Sequence, residues 1–151
     1  MTHLVWALLL QQWEPNGLDK MLYPIAMIES SFGINVKHQK HNLGIHWTAF
    51  GALGLKPVVA HEDYLNSQYA RAKYPGLEKI EEFTIRFISD VRFYNFACNL
   101  HFYMYLNQGH DLTDVVYQWR YGKTHAATIA RADKINDPYV IKYFNLIERT
   151  N

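Results

Sequence analysis

A chain of 151 residues fits one domain and can bury roughly two thirds of its unfolded surface. With 49% hydrophobic and 19% charged residues, it is too apolar to belong to the disordered class. Its 15 Lys+Arg against 14 Asp+Glu leave a net charge of +1, so no field exists to gather nucleic acid or an anionic membrane. The lone cysteine, Cys98, excludes an intramolecular disulfide and a thiolate metal site, and in the stretch FACNLHF it reads as a small buried hydrophobe.

The 11 Tyr, 8 Phe and 4 Trp exceed what a core of this size needs. Aromatic faces are what sugar rings and partner proteins stack against, although most of these are expected in the core.

Helical signals run the length of the chain, and no alternating run long enough to anchor a sheet occurs. The expected fold class is therefore all-α, or α with a minimal β-hairpin near residues 35–50, in a single domain over 1–151. The apolar run LVWALLL (residues 4–10) lacks a basic start and a small-residue cleavage site and is too short to span a bilayer; it reads as a first, core-packed helix.

Asn16 and Gly17 break that helix. A second is predicted over 18–30, from apolar residues at Leu18, Met21, Leu22, Ile25, Ala26 and Ile28. Glu29 falls in its last turn. Residues 31–56, rich in Gly, His, Asn and Lys, form a loop long enough to carry function.

Pro57 opens a third helix through about residue 70. Further helices are expected over 77–90, 92–107 and 112–121, with Asp111 and Thr113 as candidate caps, then over 124–135. Asp137-Pro138 begins the last as cap and first residue. No repeat, low-complexity tract or linker interrupts the pattern.

IAMIESSFGINVKH, followed by GIHWTAFGALGLKPVVAHE, resembles the catalytic core of the lytic transglycosylases, in particular variants carried by bacteriophages. In that family a helix ends in Glu-Ser, a Gly-x-x-Gly-Leu turn leads into the next helix, and a later helix ends in a Tyr-Asn-x-Gly-like motif. Glu29-Ser30 and Gly51-Ala52-Leu53-Gly54-Leu55 match the first two. The third is altered: Trp119-Arg120-Tyr121-Gly122 keeps an aromatic residue and the glycine but places Arg120 where Asn is expected. Lys56-Pro57 also replaces the Met-Gln that often follows the turn, removing an amide that would bind substrate. Close resemblance covers residues 25–62, and the rest agrees in helix order alone.

The resemblance implies a lysozyme-like fold that cuts the bond between N-acetylmuramic acid and N-acetylglucosamine in peptidoglycan strands, with Glu29 as acid and base. Ser30, Ser31 and the turn from Gly51 to Leu55, with Tyr117, Trp119 and Tyr121, are the implied substrate-binding residues. Tyr117 or Tyr121 is the candidate for the phenol placed against the glutamate. No cofactor or metal is required.

The residues themselves bear on this chemistry. A carboxyl at a helix end facing a Gly-rich turn can lie in a partly apolar cleft, where desolvation favours the protonated form a general acid needs. Glycosidases ordinarily use two carboxylates, yet Glu62 and Asp63 sit inside a helix and Asp90 at a helix end, none of them in a loop placed to face Glu29. That absence fits the single-glutamate route, in which the sugar's own 6-hydroxyl closes a 1,6-anhydro ring. His38, His41 and His46 match no zinc spacing and have no acidic or thiolate neighbour.

Two alternatives stay open at this point. One is a goose-type hydrolase that uses water in place of the 6-hydroxyl. The other is a virion protein that kept the fold and lost activity, with other phage virion proteins as partners. In each case synthesis is expected in a host cytoplasm, with action in the periplasm or cell wall, or within a virion.

Overall fold

The computed structural model describes residues 13–36 and 41–150. The helix expected over residues 4–10 lies outside the described residues, as does His38. The described residues are mostly helical, and no sheet is present among them. The hairpin allowed for in the sequence is reduced to a single antiparallel bridge between Phe50 and Leu55.

The first helical segment opens as a 3-10 turn, Lys20–Leu22, where Asp19 accepts a hydrogen bond from the Met21 amide at 2.9 Å. Pro24, whose missing N–H costs nothing in a first turn, then lies at the start of α1 (Tyr23–Ser30), which buries Ile25 and Ala26. The end of α1 is unusual. Ser31 and Phe32 both take left-handed backbone angles, with φ 51° and 59°, before Gly33 at 85°. Such angles cost L-residues about 1–2 kcal/mol each, so the surroundings must impose them. They do so through hydrogen bonds from the Ser31 amide to the Met27 carbonyl and from the Phe32 amide to the Ala26 carbonyl, and by clamping the Phe32 ring between the edges of Trp13 and Tyr23.

The helix expected over 57–70 is two: α2 (Pro57–Leu65) and α3 (Gln68–Lys73). The break is chemical. Ser67 lies in extended backbone and its hydroxyl accepts the Ala70 amide, so the chain restarts with a new N-cap rather than continuing. Next come α4 (Ile80–Ser89), α5 (Val91–Asn107) and α6 (Leu112–Tyr121), close to expectation. Asp90 caps α5 and Asp111 caps α6 through their carboxylates; Thr113, the other candidate cap, lies inside α6.

The helix expected over 124–135 is also split, into α7 (Lys123–Ala126) and α8 (Arg131–Ile135), because Ala130 is extended and the Thr128 hydroxyl donates to the His125 carbonyl. Lys134, nearly buried, donates to Asp114, and Arg131 pairs with Asp111, so both ends of α8 are pinned to α6. The last helix, α9 (Pro138–Thr150), begins where Asp137 accepts the Tyr139 and Val140 amides.

The central element is α5, packed on α2 and α4, while α9 packs across α1 and α6. Phe50, Phe83, Phe87, Phe93 and Tyr94 lie at the centre of the core with essentially no exposure, and Cys98 is buried beside them. Each such side chain stabilises the fold by about 1.5–3 kcal/mol through burial. One polar pair lies within: His101 Nδ1 of α5 meets Asp63 Oδ2 of α2 at 2.6 Å, and Lys123 approaches the second Asp63 oxygen at 3.7 Å. That pair ties the central helix to α2 by a buried polar contact.

Candidate active site

Glu29 lies one residue from the end of α1, half-buried. Its Oε1 accepts a hydrogen bond from the Tyr139 hydroxyl at 3.0 Å. Tyr139 stands in the first turn of α9, so the Asp137 carboxylate that caps this helix also fixes where the phenol starts. Burial pushes the Glu29 carboxyl above the ordinary carboxylate range, while the Tyr139 hydrogen bond and the positive charge of Arg120 pull it back less strongly. Burial outweighing both leaves a carboxyl that holds its proton more tightly than a surface glutamate.

The turn facing Glu29 is built from the glycines the sequence singles out. The bridge between Phe50 and Leu55 closes it, with hydrogen bonds of 3.0 and 3.1 Å. Gly51 and Gly54 both have positive φ, 76° and 67°, but closeness sets their roles apart. A Cβ on Gly51 would lie 2.2 Å from the Tyr94 ring, whereas one on Gly54 would lie 3.3 Å from Glu29 Oε2. Gly51 thus admits the ring that supports the turn, and Gly54 brings bare backbone onto the carboxyl.

The turn's polar groups are tied down. The Tyr94 hydroxyl donates to the Phe50 carbonyl at 2.7 Å and accepts the Leu53 amide at 3.0 Å. Trp119 Nε1 donates to the Leu53 carbonyl at 2.9 Å. The Ser30 hydroxyl lies 2.7 Å from the Ala52 carbonyl and 3.0 Å from the Ala26 carbonyl, and it accepts the Gly33 amide at 2.7 Å.

These contacts redistribute the expected roles. Ser30, Gly51, Ala52, Leu53 and Leu55 are buried, so they hold the site in place and do not present groups to a substrate. Trp119, half-buried, belongs to the same framework. Ser31 is exposed on the strained exit from α1. The hydroxyl bonded to Glu29 is that of Tyr139, not of Tyr117 or Tyr121: Tyr117 is buried, its ring 4.5 Å from that of Tyr121, and Tyr121 donates to Asp137 at 2.8 Å. The resemblance at the third motif pointed to the tyrosines of α6 instead. Asp137-Pro138 marks Tyr139 as a first-turn residue of a helix, but no sequence signal says that this helix returns to α1.

The acids weighed as second carboxylates have other partners or positions. Asp63 pairs with His101, Asp90 caps α5 and pairs with Arg86, and Glu62 is exposed on α2. Among the histidines, His41 Nδ1 accepts the Leu43 amide and His46 Nδ1 lies 2.7 Å from the Thr84 hydroxyl. Among the described residues no group of three or more His, Cys, Asp or Glu is placed to hold a metal ion, and no helix is long and apolar enough to cross a membrane. Comparison of the chain with protein-family models, with curated proteins and with solved structures finds no match.

Proposed function

We propose that the protein cleaves peptidoglycan glycan strands as a lytic transglycosylase, with Glu29 as its single acid and base. The observation that supports this reading best is the half-buried Glu29 carboxyl, its proton affinity raised by burial, held by Tyr139 on one oxygen and overlain by bare Gly54 backbone on the other. In the first step the protonated carboxyl gives its proton to the bridging oxygen as the bond from that oxygen to C1 of N-acetylmuramic acid breaks. In the second, the carboxylate takes the proton of the same sugar's 6-hydroxyl as that oxygen bonds to C1, which closes the 1,6-anhydro ring and returns Glu29 to its starting form. Tyr139 fixes Oε1 and leaves Oε2 for proton transfer. Neither step requires a cofactor.

A goose-type hydrolase differs only in that water replaces the 6-hydroxyl. Mass spectrometry of the fragments released from purified sacculi separates the two, since anhydro ends lack one water relative to reducing ends. A non-catalytic virion role draws on a different observation: Arg120, at the altered third motif, favours ionised Glu29 and so opposes the acid form. Release of anhydro fragments supports the transglycosylase reading; reducing ends alone favour the hydrolase, and no release from several peptidoglycans favours the structural role.

A further inference from the structure

The strongest feature outside the Glu29 site is a groove of about 760 Å3 between α3, α5 and the segment before α1, within the size range of small-ligand sites. Its α5 wall is a stripe of Arg92, Phe96, Asn99 and Tyr103. At about 100° per residue this stripe lies on the opposite side of α5 from Tyr94, Cys98 and His101, the side that supports the Gly51–Gly54 turn and pairs with Asp63. The groove is therefore separate from the proposed catalytic site.

Its lining has a definite chemistry. Tyr69, Tyr74 and Phe96 form an aromatic cluster, with Phe96 5.0 Å from Tyr74 and 6.1 Å from Tyr69 between ring centroids. Lys73 stands over it, its Nζ 5.2 Å from the Phe96 ring and 5.7 Å from the Tyr69 ring. Arg92 is exposed and, like Lys73, forms no ion pair among the described residues. Among the described residues no acid lines the groove. Two carboxylates stand behind the wall and turn toward its own residues: Glu14 accepts the Asn16 amide, and Asp19 accepts the Met21 amide and lies against the Tyr103 hydroxyl. Asn99 is spent on the Gly17 carbonyl and the Asp19 amide. The groups left to meet a ligand are chiefly two cations and apolar surface, that of the aromatic rings and of Leu100.

We infer that this groove binds an acidic saccharide, the aromatic rings taking the apolar face of a sugar and Lys73 and Arg92 its carboxylates. Aromatic faces alone would suit any apolar body; the two cations with no lining acid select an anion. Within the proposed function such a ligand is a peptidoglycan sugar bearing the carboxylates of its stem peptide, and the groove would hold a strand on the face of α5 away from Glu29. The binding does not depend on Glu29 chemistry.

The test is calorimetric titration with a disaccharide-peptide from peptidoglycan, N-acetylglucosaminyl-N-acetylmuramyl-tetrapeptide, which lacks the bond to be cut. Neutral chitobiose and sodium acetate serve as comparison ligands. The expected result is saturable binding of the disaccharide-peptide that weakens with salt. It should weaken at least about tenfold in Lys73→Met/Arg92→Met and in Phe96→Ala, with unchanged far-UV circular dichroism, yet persist in Glu29→Gln. Chitobiose should bind at least about tenfold more weakly. Equal binding by Lys73→Met/Arg92→Met, equal affinity for chitobiose, or no binding of the disaccharide-peptide at millimolar concentration would each overturn the inference. Failure of wall cleavage leaves every one of these readouts intact, so the two ideas fail separately.

Discussion

Tyr139 and Glu29, 110 positions apart in sequence, meet across 3.0 Å and join the first turn of α9 to the last turn of α1. Tyr139 is itself nearly buried, and burial together with the Glu29 charge pushes its hydroxyl well above the ordinary phenol range. It therefore stays a donor throughout the working pH range. Because this bond favours ionised Glu29, Tyr139→Phe should raise the Glu29 pKa further. The rate limb that falls as Glu29 loses its proton should move to higher pH, alongside a stability loss of about 1 kcal/mol for one hydrogen bond. A limb that stays in place would show that Tyr139 does not act on the reacting carboxyl.

Arg120 acts on the same carboxyl in the same direction, as a charge on an exposed side chain. Arg120→Gln should likewise move the limb to higher pH, with the difference shrinking as salt screens the wild-type charge. Stability should scarcely change. A limb that moves to lower pH would contradict the placement of this cation beside Glu29.

Burial of Glu29 also makes a statement about folding. The folded carboxyl holds its proton more tightly than the unfolded one, so between the two pKa values the folded state binds more protons. Stability from this residue accordingly falls as pH rises through that window and remains lower above it. Glu29→Gln, which cannot ionise, should show a higher Tm than wild type at neutral pH and no such gain below about pH 4. Thermal scans across pH check this, and a difference that does not vary with pH would oppose it.

Ser30 and the two turn glycines separate scaffold from chemistry. Ser30→Ala leaves the Gly33 amide and the Ala52 carbonyl without their hydroxyl partner and should cost about 1–3 kcal/mol in denaturant unfolding. Gly51→Ala places a Cβ 2.2 Å from the hydroxyl end of the buried Tyr94 ring and should prevent normal folding. Gly54→Ala meets only the end of the flexible Glu29 side chain, at 3.3 Å, although its positive φ still costs about 1–2 kcal/mol. It should fold and lose activity. A Gly54→Ala protein with full activity would remove Gly54 from the site.

Much of the helix order was legible because start signals are local. Asp111 before α6 and Asp137-Pro138 before α9 cap where their side chains predict. The splits at Ser67 and Ala130 rest on local hydrogen bonds that interrupt the helices expected over 57–70 and 124–135. Glu29 and Gly54 could be paired from spacing and resemblance. Tyr139 could not, since nothing within 110 residues of intervening sequence says which helix returns to α1. The inward turn of Ser30 was equally hidden, because it depends on the Ala52 carbonyl arriving from the far side of the loop.

In the proposed function one carboxyl, Glu29, both gives and takes the proton in glycan cleavage. The most direct measurement is the initial rate of turbidity loss of purified cell walls with wild type and with Glu29→Gln, the variant shown folded by circular dichroism. Glu29→Gln keeps the shape and removes the transferable proton, so its rate should fall by roughly a hundred- to ten-thousandfold while glycan binding survives. Cleavage by Glu29→Gln at close to the wild-type rate would contradict the assignment.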